Sequence, residues 1–170
     1  MFSAEVIQML IKGIGETLYM TLVSTLFGYL FGLPMGILLT ISDREGIKPN
    51  VILYKILDIF ANIVRSVPFL ILLIVLIPLA RFIVGKSYGS SATIVSLAAA
   101  AIPYIARMVE SSLREVDAGV IEAARSMGAS TFTIVTKVML VEARTSLIVG
   151  VTISLGTILG YSAMAGTLGG

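Results

Sequence analysis

Four stretches of this chain carry no charged residue and approach or reach the length that crosses a bilayer: Thr17 to Ser42, Ser66 to Ala80 with Phe82–Val84 beyond it, Ser87 to Ala106, and Thr145 to Gly170. The hydrocarbon core is roughly 30 Å thick and a helix rises about 1.5 Å per residue, so ~20 apolar residues span it. In lipid every backbone polar group must bond within the protein, which leaves helices or a closed barrel. Long uncharged runs without alternation select helices. The expected fold is therefore all-α, a polytopic transmembrane bundle with four spans, taken as 17–42, 66–84, 87–106 and 145–166. Composition agrees. Charged residues make up 13% of the 170 residues and hydrophobic ones 57%, against about 25% charged in soluble domains.

What is missing narrows the function. The chain has no Cys, His or Trp. Thiolate metal sites and the commonest general base are excluded with them. No catalytic residue and no metal ligand is expected. A net charge of +2 is too small and scattered for nucleic acid. No Asp, Glu, Lys or Arg lies deep within the first, third or fourth span, which argues against a midplane proton or ion relay.

The second span is the shortest, with Arg65 and Arg81 at its edges, where long side chains reach the interface. Residues 51–64, with Lys55, Asp58 and Asn62, read as a partly interfacial lead-in. Met1 to Glu16 lacks the basic segment of a cleavable signal. Its Phe2, Val6, Met9 and Leu10 suggest a short amphipathic helix on the membrane surface. Loop charges set the orientation: Arg44, Lys48, Lys55, Arg107, Arg114, Arg125, Lys137 and Arg144 collect on one side, and Lys12, Arg81 and Lys86 on the other. Positive loops stay in the cytoplasm, so the N-terminus is expected outside and residues 107–144 inside.

Small residues mark helix contacts. Gly28, Gly32 and Gly36 share one face of the first span, and Gly156 and Gly160 repeat the spacing in the last. Pro34 is expected to kink the first span. The third carries Ala98 to Ala101 and Pro103. These patterns read first as tight helix contacts in a bundle, with sliding during gating as the alternative.

The charged loop 107–144 reads as two short helices about a glycine. Asp117 caps a helix from Ala118 to Met127, with Val120, Ala124 and Met127 on one face. Gly128 stands where a left-handed residue ends a helix. Ser130 caps a second helix through Ala143, with Ile134, Val138 and Val141 on one stripe. A surface connector is one reading. A lever that inserts into a groove of a soluble partner is the other.

Glu122-Ala123-Ala124, three residues, Gly128, nine residues and Val138-Met139-Leu140 resemble the EAA loop of the membrane subunits of type I bacterial ABC importers. That pattern ends I-x-L-P; Val138 replaces the Ile and Val141 the Pro. Arg65-Ser66-Val67-Pro68-Phe69, Ala106-Arg107-Met108-Val109-Glu110 and Gly160-Tyr161-Ser162-Ala163-Met164 look closest to the methionine import permeases. The resemblance implies a multi-pass permease of the bacterial inner membrane, a single domain over 1–170. It implies a cytoplasmic ATPase dimer carrying ATP and Mg, with no cofactor on this chain. It also implies an extracytoplasmic binding protein, lipid-anchored in some members, a second permease copy, and contact with membrane lipid. Glu122, Ala123, Ala124, Arg125 and Gly128 then become coupling residues, although for Arg125 a solvated charge is the first reading and a pair with an acidic residue of the ATPase the second. Tyr161, Ser162 and Met164 become candidates for a methionine path, with ordinary packing as the alternative. Thr152, Ser154 and Thr157 read as backbone-bonded hydroxyls. Other readings stay open: a permease for a different amino acid or small nutrient, or a scaffold that does not transport. Relatives of this kind continue past the glycine-rich stretch 166–170 into a further span, which is expected to be missing here.

Overall fold

A computed structural model describes residues 4–167. Among them every regular element is helical. The helices are α1 (Ala4–Ser42), α2 (Val51–Ser66), α3 (Phe69–Val75), α4 (Ile77–Val84), α5 (Ser90–Arg114), α6 (Ala118–Ser126), α7 (Thr131–Thr133), a π-helical turn (Ile134–Met139), α8 (Leu140–Glu142) and α9 (Arg144–Gly166). Three of them, α1, α5 and α9, are long and apolar enough to cross a membrane. A fourth crossing exists if α2 and α3, bent by 104° at their junction, count as one broken span.

The bundle forms around α1 and α5. Lipid supplies no hydrophobic force between helices, so close packing must hold them. The glycines at 28, 32 and 36 allow it. A Cβ at Gly28 would lie 2.8 Å from the Ala101 Cβ, one at Gly32 2.8 Å from the Ile102 carbonyl oxygen, and one at Gly36 2.5 Å from the Ala106 oxygen. Each glycine costs an isolated helix about 1 kcal/mol against Ala; the backbone contact it permits offsets this. Ser24 continues the four-residue rhythm one turn earlier, where its hydroxyl donates to the Ile94 carbonyl at 3.5 Å. Opposite lie Leu97, Ala101, Ile105 and Val109, all buried.

Helix α9 closes the bundle through a face that the sequence reading did not choose. Ser112 and Ser146 share a hydrogen bond of 2.9 Å, Tyr29 and Ser154 one of 3.4 Å, and Tyr104 and Thr157 one of 3.2 Å. Gly150 sits so close to Met108 that a Cβ would come within 2.8 Å of its sulfur. The contact stripe is Ser146, Gly150, Ser154, Ile158 and Ser162. Gly156 and Gly160, expected to pack helices, have no neighbour within 4 Å of a built Cβ; within this chain they lie on an open face. Thr152 and Thr157 do bond the carbonyls one turn back. Ser154 instead bonds side chains, since its hydroxyl faces Tyr29 and Met108.

Four expected boundaries change, each for a physical reason. The N-terminal surface helix does not exist as a separate element: from Ala4 it is the start of α1, and Phe2 lies outside the described residues. Nothing between Glu5 and Thr17 stops a helix, and Lys12 and Glu16, 3.9 Å apart at i, i+4, favour one. At 39 residues α1 is about 58 Å long, well beyond the hydrocarbon core. It also runs through Pro34 without ending. The segment 66–84 is not one helix. Pro68 forces Val67 into an extended conformation, φ −82° and ψ 125°, because its ring disfavours a helical residue before it. The 51–64 lead-in becomes a helix of its own, α2, capped by Asn50, whose side chain accepts from the Leu53 amide at 3.1 Å. The third span continues past Ala106 to Arg114, because its charges find partners. The cytoplasm-assigned loop therefore begins after 114, and Leu168 to Gly170 of the glycine-rich end lie outside the described residues.

Gly36→Ala is expected to lower stability by about 1–3 kcal/mol, the usual cost of overpacking, because the contact it meets is backbone. Gly13→Ala, with open space around it, should be neutral or stabilise by up to about 1 kcal/mol. Thermal unfolding in detergent reads both; equal effects would remove the seam from the account.

Candidate functional site

The site lies at one end of the bundle, where the C-terminal ends of α1 and α5 and the turn after α1 come together with α6. It begins with charge. Glu110 of α5 is 5% exposed and stands between two arginines of the same helix: Arg107 Nη1 lies 2.8 Å from Oε2, and Arg114 Nη2 lies 2.8 Å from Oε1. Their i, i+3 and i, i+4 spacings put all three on one face. Each arginine then reaches another helix. Arg107 pairs with Asp58 of α2 and donates to Asn62 at 3.1 Å. Arg114 meets Asp43, just beyond α1, at 2.8 Å. A carboxylate buried this deeply costs several kcal/mol unless it is paired and hydrogen-bonded, and both of its oxygens are. In the sequence Arg107 and Arg114 mark orientation, Arg107 and Glu110 belong to a motif of the resemblance, and Asp58 and Asn62 mark the lead-in; their pairing is new. The available signal was the i, i+3, i+7 charge spacing at 107, 110 and 114, opposite Asp58 and Asn62 at i, i+4.

Asp43 opens the turn that joins α1 to α2. The turn is pinned back on α1 by Lys48 N–H to the Ile41 carbonyl, 3.0 Å, and Asn50 N–H to the Ser42 carbonyl, 2.9 Å. A Cβ at Gly46 would lie 2.5 Å from the Ile41 oxygen, so the turn is too tight for a side chain there. Ile47 is buried at its tip.

Helix α6 lies against this turn. The Asp117 carboxylate accepts from the Gly119 amide at 2.7 Å, the expected cap. At the other end Gly128 has φ +80°. The Gly128 amide donates to the Arg125 carbonyl at 3.0 Å, and the Ala129 amide to the Ala124 carbonyl at 3.1 Å. That pair of bonds is the Schellman closure of a helix end. Ser130 then caps α7, accepting from the Thr133 amide at 3.2 Å.

The faces differ from those the spacing suggested. Ala124 is buried, but Val120 and Met127 are exposed; Ile121 is the apolar residue that joins Ala124 in the core. In the second helix Ile134 is buried and Val138 partly so, but Val141 is exposed. The π-helical turn is the cause. Its wider winding, with Leu140 N–H reaching the Val135 carbonyl, turns Ile134, Val135, Met139 and Ala143 inward instead. Turns of this kind are uncommon and concentrate at functional positions.

The expected coupling residues therefore divide. Glu122 and Ala123 are exposed, Glu122 at the edge of the space beside the turn, Ala124 faces the core, and Gly128 forms the joint. Arg125 is not merely solvated: its Nη2 donates to the Ile47 carbonyl at 2.7 Å. A cavity of about 540 Å³ lies between α6 and the turn, bordered by Asp43, Ile47, Arg114, Glu122 and Arg125. The three path candidates do not form one patch. Tyr161 stacks on Phe69, ring centroids 4.6 Å apart. Ser162 is buried and donates to the Leu159 carbonyl at 2.8 Å, and Met164 is exposed. Among the described residues no group of three His, Cys, Asp or Glu is placed to hold a metal ion.

Long apolar helices joined by a loop with a capped amphipathic helix define a membrane component. Residues 8–170 match the family described as the binding-protein-dependent transport system inner membrane component, and the chain belongs to that family. It is thus a multi-pass inner-membrane component of a transport system and not an enzyme. It is 49% identical over 164 residues to the D-methionine transport system permease protein MetI of Salmonella typhimurium, covering 96% of this chain and 76% of that protein. The corresponding figures for the probable D-methionine permease of Vibrio cholerae are 44% over 162 residues, 95% and 72%. A solved inward-facing MetNI methionine ABC transporter superposes with a TM-score of 0.97 at 48% identity, over 99% of this chain and 78% of that one. An amino acid ABC transporter solved with histidines, at 22% identity and a TM-score of 0.78, shares the fold.

Glu110→Ala should cost about 3 kcal/mol, because it removes the buried carboxylate that Arg107 and Arg114 share and leaves the partly buried Arg107 with Asp58 alone. Asp43→Asn, which weakens an ion pair with the more exposed Arg114 and keeps an acceptor for the Arg44 amide, should cost no more than about 1 kcal/mol. Chemical or thermal unfolding of the purified chain measures the order; the reverse order would mean that Glu110 is not the centre of the cluster.

Proposed function

We propose that this chain is the membrane-spanning subunit of an ATP-driven importer, that it forms the path for methionine, and that it is coupled through α6 to a separate ATPase. The observation that carries the substrate is the 44–49% identity to D-methionine permeases over nearly the whole chain. The observation that carries the coupling is α6 itself: a capped helix, held by Ala124 and Arg125, that leaves Glu122 and Ala123 exposed.

In this reading residues 1–170 act as a single permease domain. The positive loops lie in the cytoplasm and the N-terminus outside. A cytoplasmic ATPase dimer binds ATP and Mg and receives α6 in a groove. An extracytoplasmic binding protein, anchored by lipid or free, delivers the amino acid. A second permease copy completes the path, and the open face of α9 with Gly156 and Gly160 suits a close helix contact with it. Glu122, Ala123, Ala124 and Gly128 are the coupling residues. Along the path, Tyr161 and Met164 offer an aromatic face and a thioether to a passing methionine, and Ser162 keeps the α9 backbone locally fixed.

The test separates docking from transport. Gly128→Val forces a branched residue into a left-handed conformation, costing about 1–2 kcal/mol, and should reduce co-purified ATPase, as should Glu122→Arg. Uptake of labelled D- and L-methionine into vesicles holding the whole complex should fall in parallel. Unchanged ATPase association in both variants would end the docking role of α6. Uptake indifferent to methionine would end the substrate assignment alone.

A further inference from the structure

The bond from Arg125 to the Ile47 carbonyl points inward, away from the face that would meet an ATPase. On the coupling reading above, we infer that Arg125 is a positioning residue: it latches α6 to the turn between α1 and α2, so that movement of α6 reaches those helices directly and not only through the ends of α5 and α9.

Four observations converge on the latch. The acceptor is a backbone oxygen on a turn that is itself rigid, tied to α1 by the Lys48 and Asn50 amides and tightened at Gly46. The contact is made beside an apolar one, because Ile47 and Ala124 belong to the same buried cluster as Ile134, Val135 and Met139. The turn is tied to α5 as well, through Asp43 and Arg114 at 2.8 Å. Finally, the other support of α6 is the π-helical turn, through Ala124 beside Ile134, Val135 and Met139, and not the α1–α2 turn. A lever resting on the π-helical turn alone would move with that turn; a lever bonded also at Arg125 moves the α1–α2 turn with it. A guanidinium suits this task, since its planar donors are always charged and a bond from a charged donor outweighs a neutral one.

The experiment uses the whole complex with its ATPase. The chain has no Cys, so nitroxide labels on Lys48→Cys and Ser126→Cys, both at exposed positions, report the distance between turn and α6. Arg125→Met should leave the amount of co-purified ATPase unchanged and broaden the label separation. It should also lower methionine transported per ATP hydrolysed about tenfold, the equilibrium weight of one charged hydrogen bond. Arg125→Lys, which keeps a donor, should recover part of both signals. If Arg125→Met does not assemble, Arg125→Gln, shorter than arginine, carries the same expectation. An unchanged label separation or an unchanged transport-to-hydrolysis ratio would overturn the latch. Loss of the ATPase with the separation unmoved would overturn it too, by making Arg125 a docking contact. Absence of ATPase from the unsubstituted preparation counts against the importer reading itself, while the label measurement still reads the latch.

Discussion

The backbones of α1 and α5 approach each other at Gly28, Gly32 and Gly36 more closely than any side chain would permit, and the remaining contacts are registered from there. Within a bilayer, burying apolar surface against protein gains little over burying it against lipid. Two helices stay in register only where shape forbids sliding. A glycine every fourth residue, each facing Ala101, Ile102 or Ala106, is such a shape. It also fixes where the C-terminal end of α1 stands relative to the last turns of α5.

That registration determines the chemistry at the cytoplasmic-type end. With α1 fixed against α5, Asp43 comes opposite Arg114, and α2 returns so that Asp58 and Asn62 meet Arg107. Five charged groups then form one connected cluster around Glu110. Isolated surface ion pairs are worth little, but this carboxylate is buried, so removing either arginine strands a charge. The cluster is better understood as a specification of geometry than as a source of stability. It holds three helix ends at one distance from the turn against which α6 rests.

Much of this was legible in the sequence, and the limits are physical. Uncharged length gave α1, α5 and α9, because the bilayer imposes it. Capping chemistry gave α6 from Asp117 to Gly128 almost to the residue, because those signals are local. The failures are tertiary. Arg107 looked like the start of a loop, since a lone charge leaves the membrane; only Asp58 and Glu110 explain why the helix continues. Gly156 and Gly160 matched a packing motif, but the serines at 146, 154 and 162 with Gly150 occupy the contact face, and a small hydroxyl packs as closely as a glycine while adding a hydrogen bond. The π-helical turn moved Val141 outward, and helical periodicity of 3.6 cannot anticipate a change of period. Arg125 had no readable partner, because its acceptor is a main-chain carbonyl 78 residues away.

The length of α6 makes the last point consequential. At nine residues it is shorter than the roughly 12–15 at which an isolated helix becomes even marginally stable in water. Two good caps contribute about 1 kcal/mol each, too little to overcome nucleation alone. Its persistence therefore rests on Ala124 and Ile121 packing against Ile47 and the π-helical turn, and on Arg125 holding the α1–α2 turn. A helix stabilised by its support leaves that support only at the cost of its own structure. Displacing α6 therefore loads the π-helical turn and the α1–α2 turn together, and the latter is already bonded to α1 and α5. Stability and force transmission are in this place the same set of contacts.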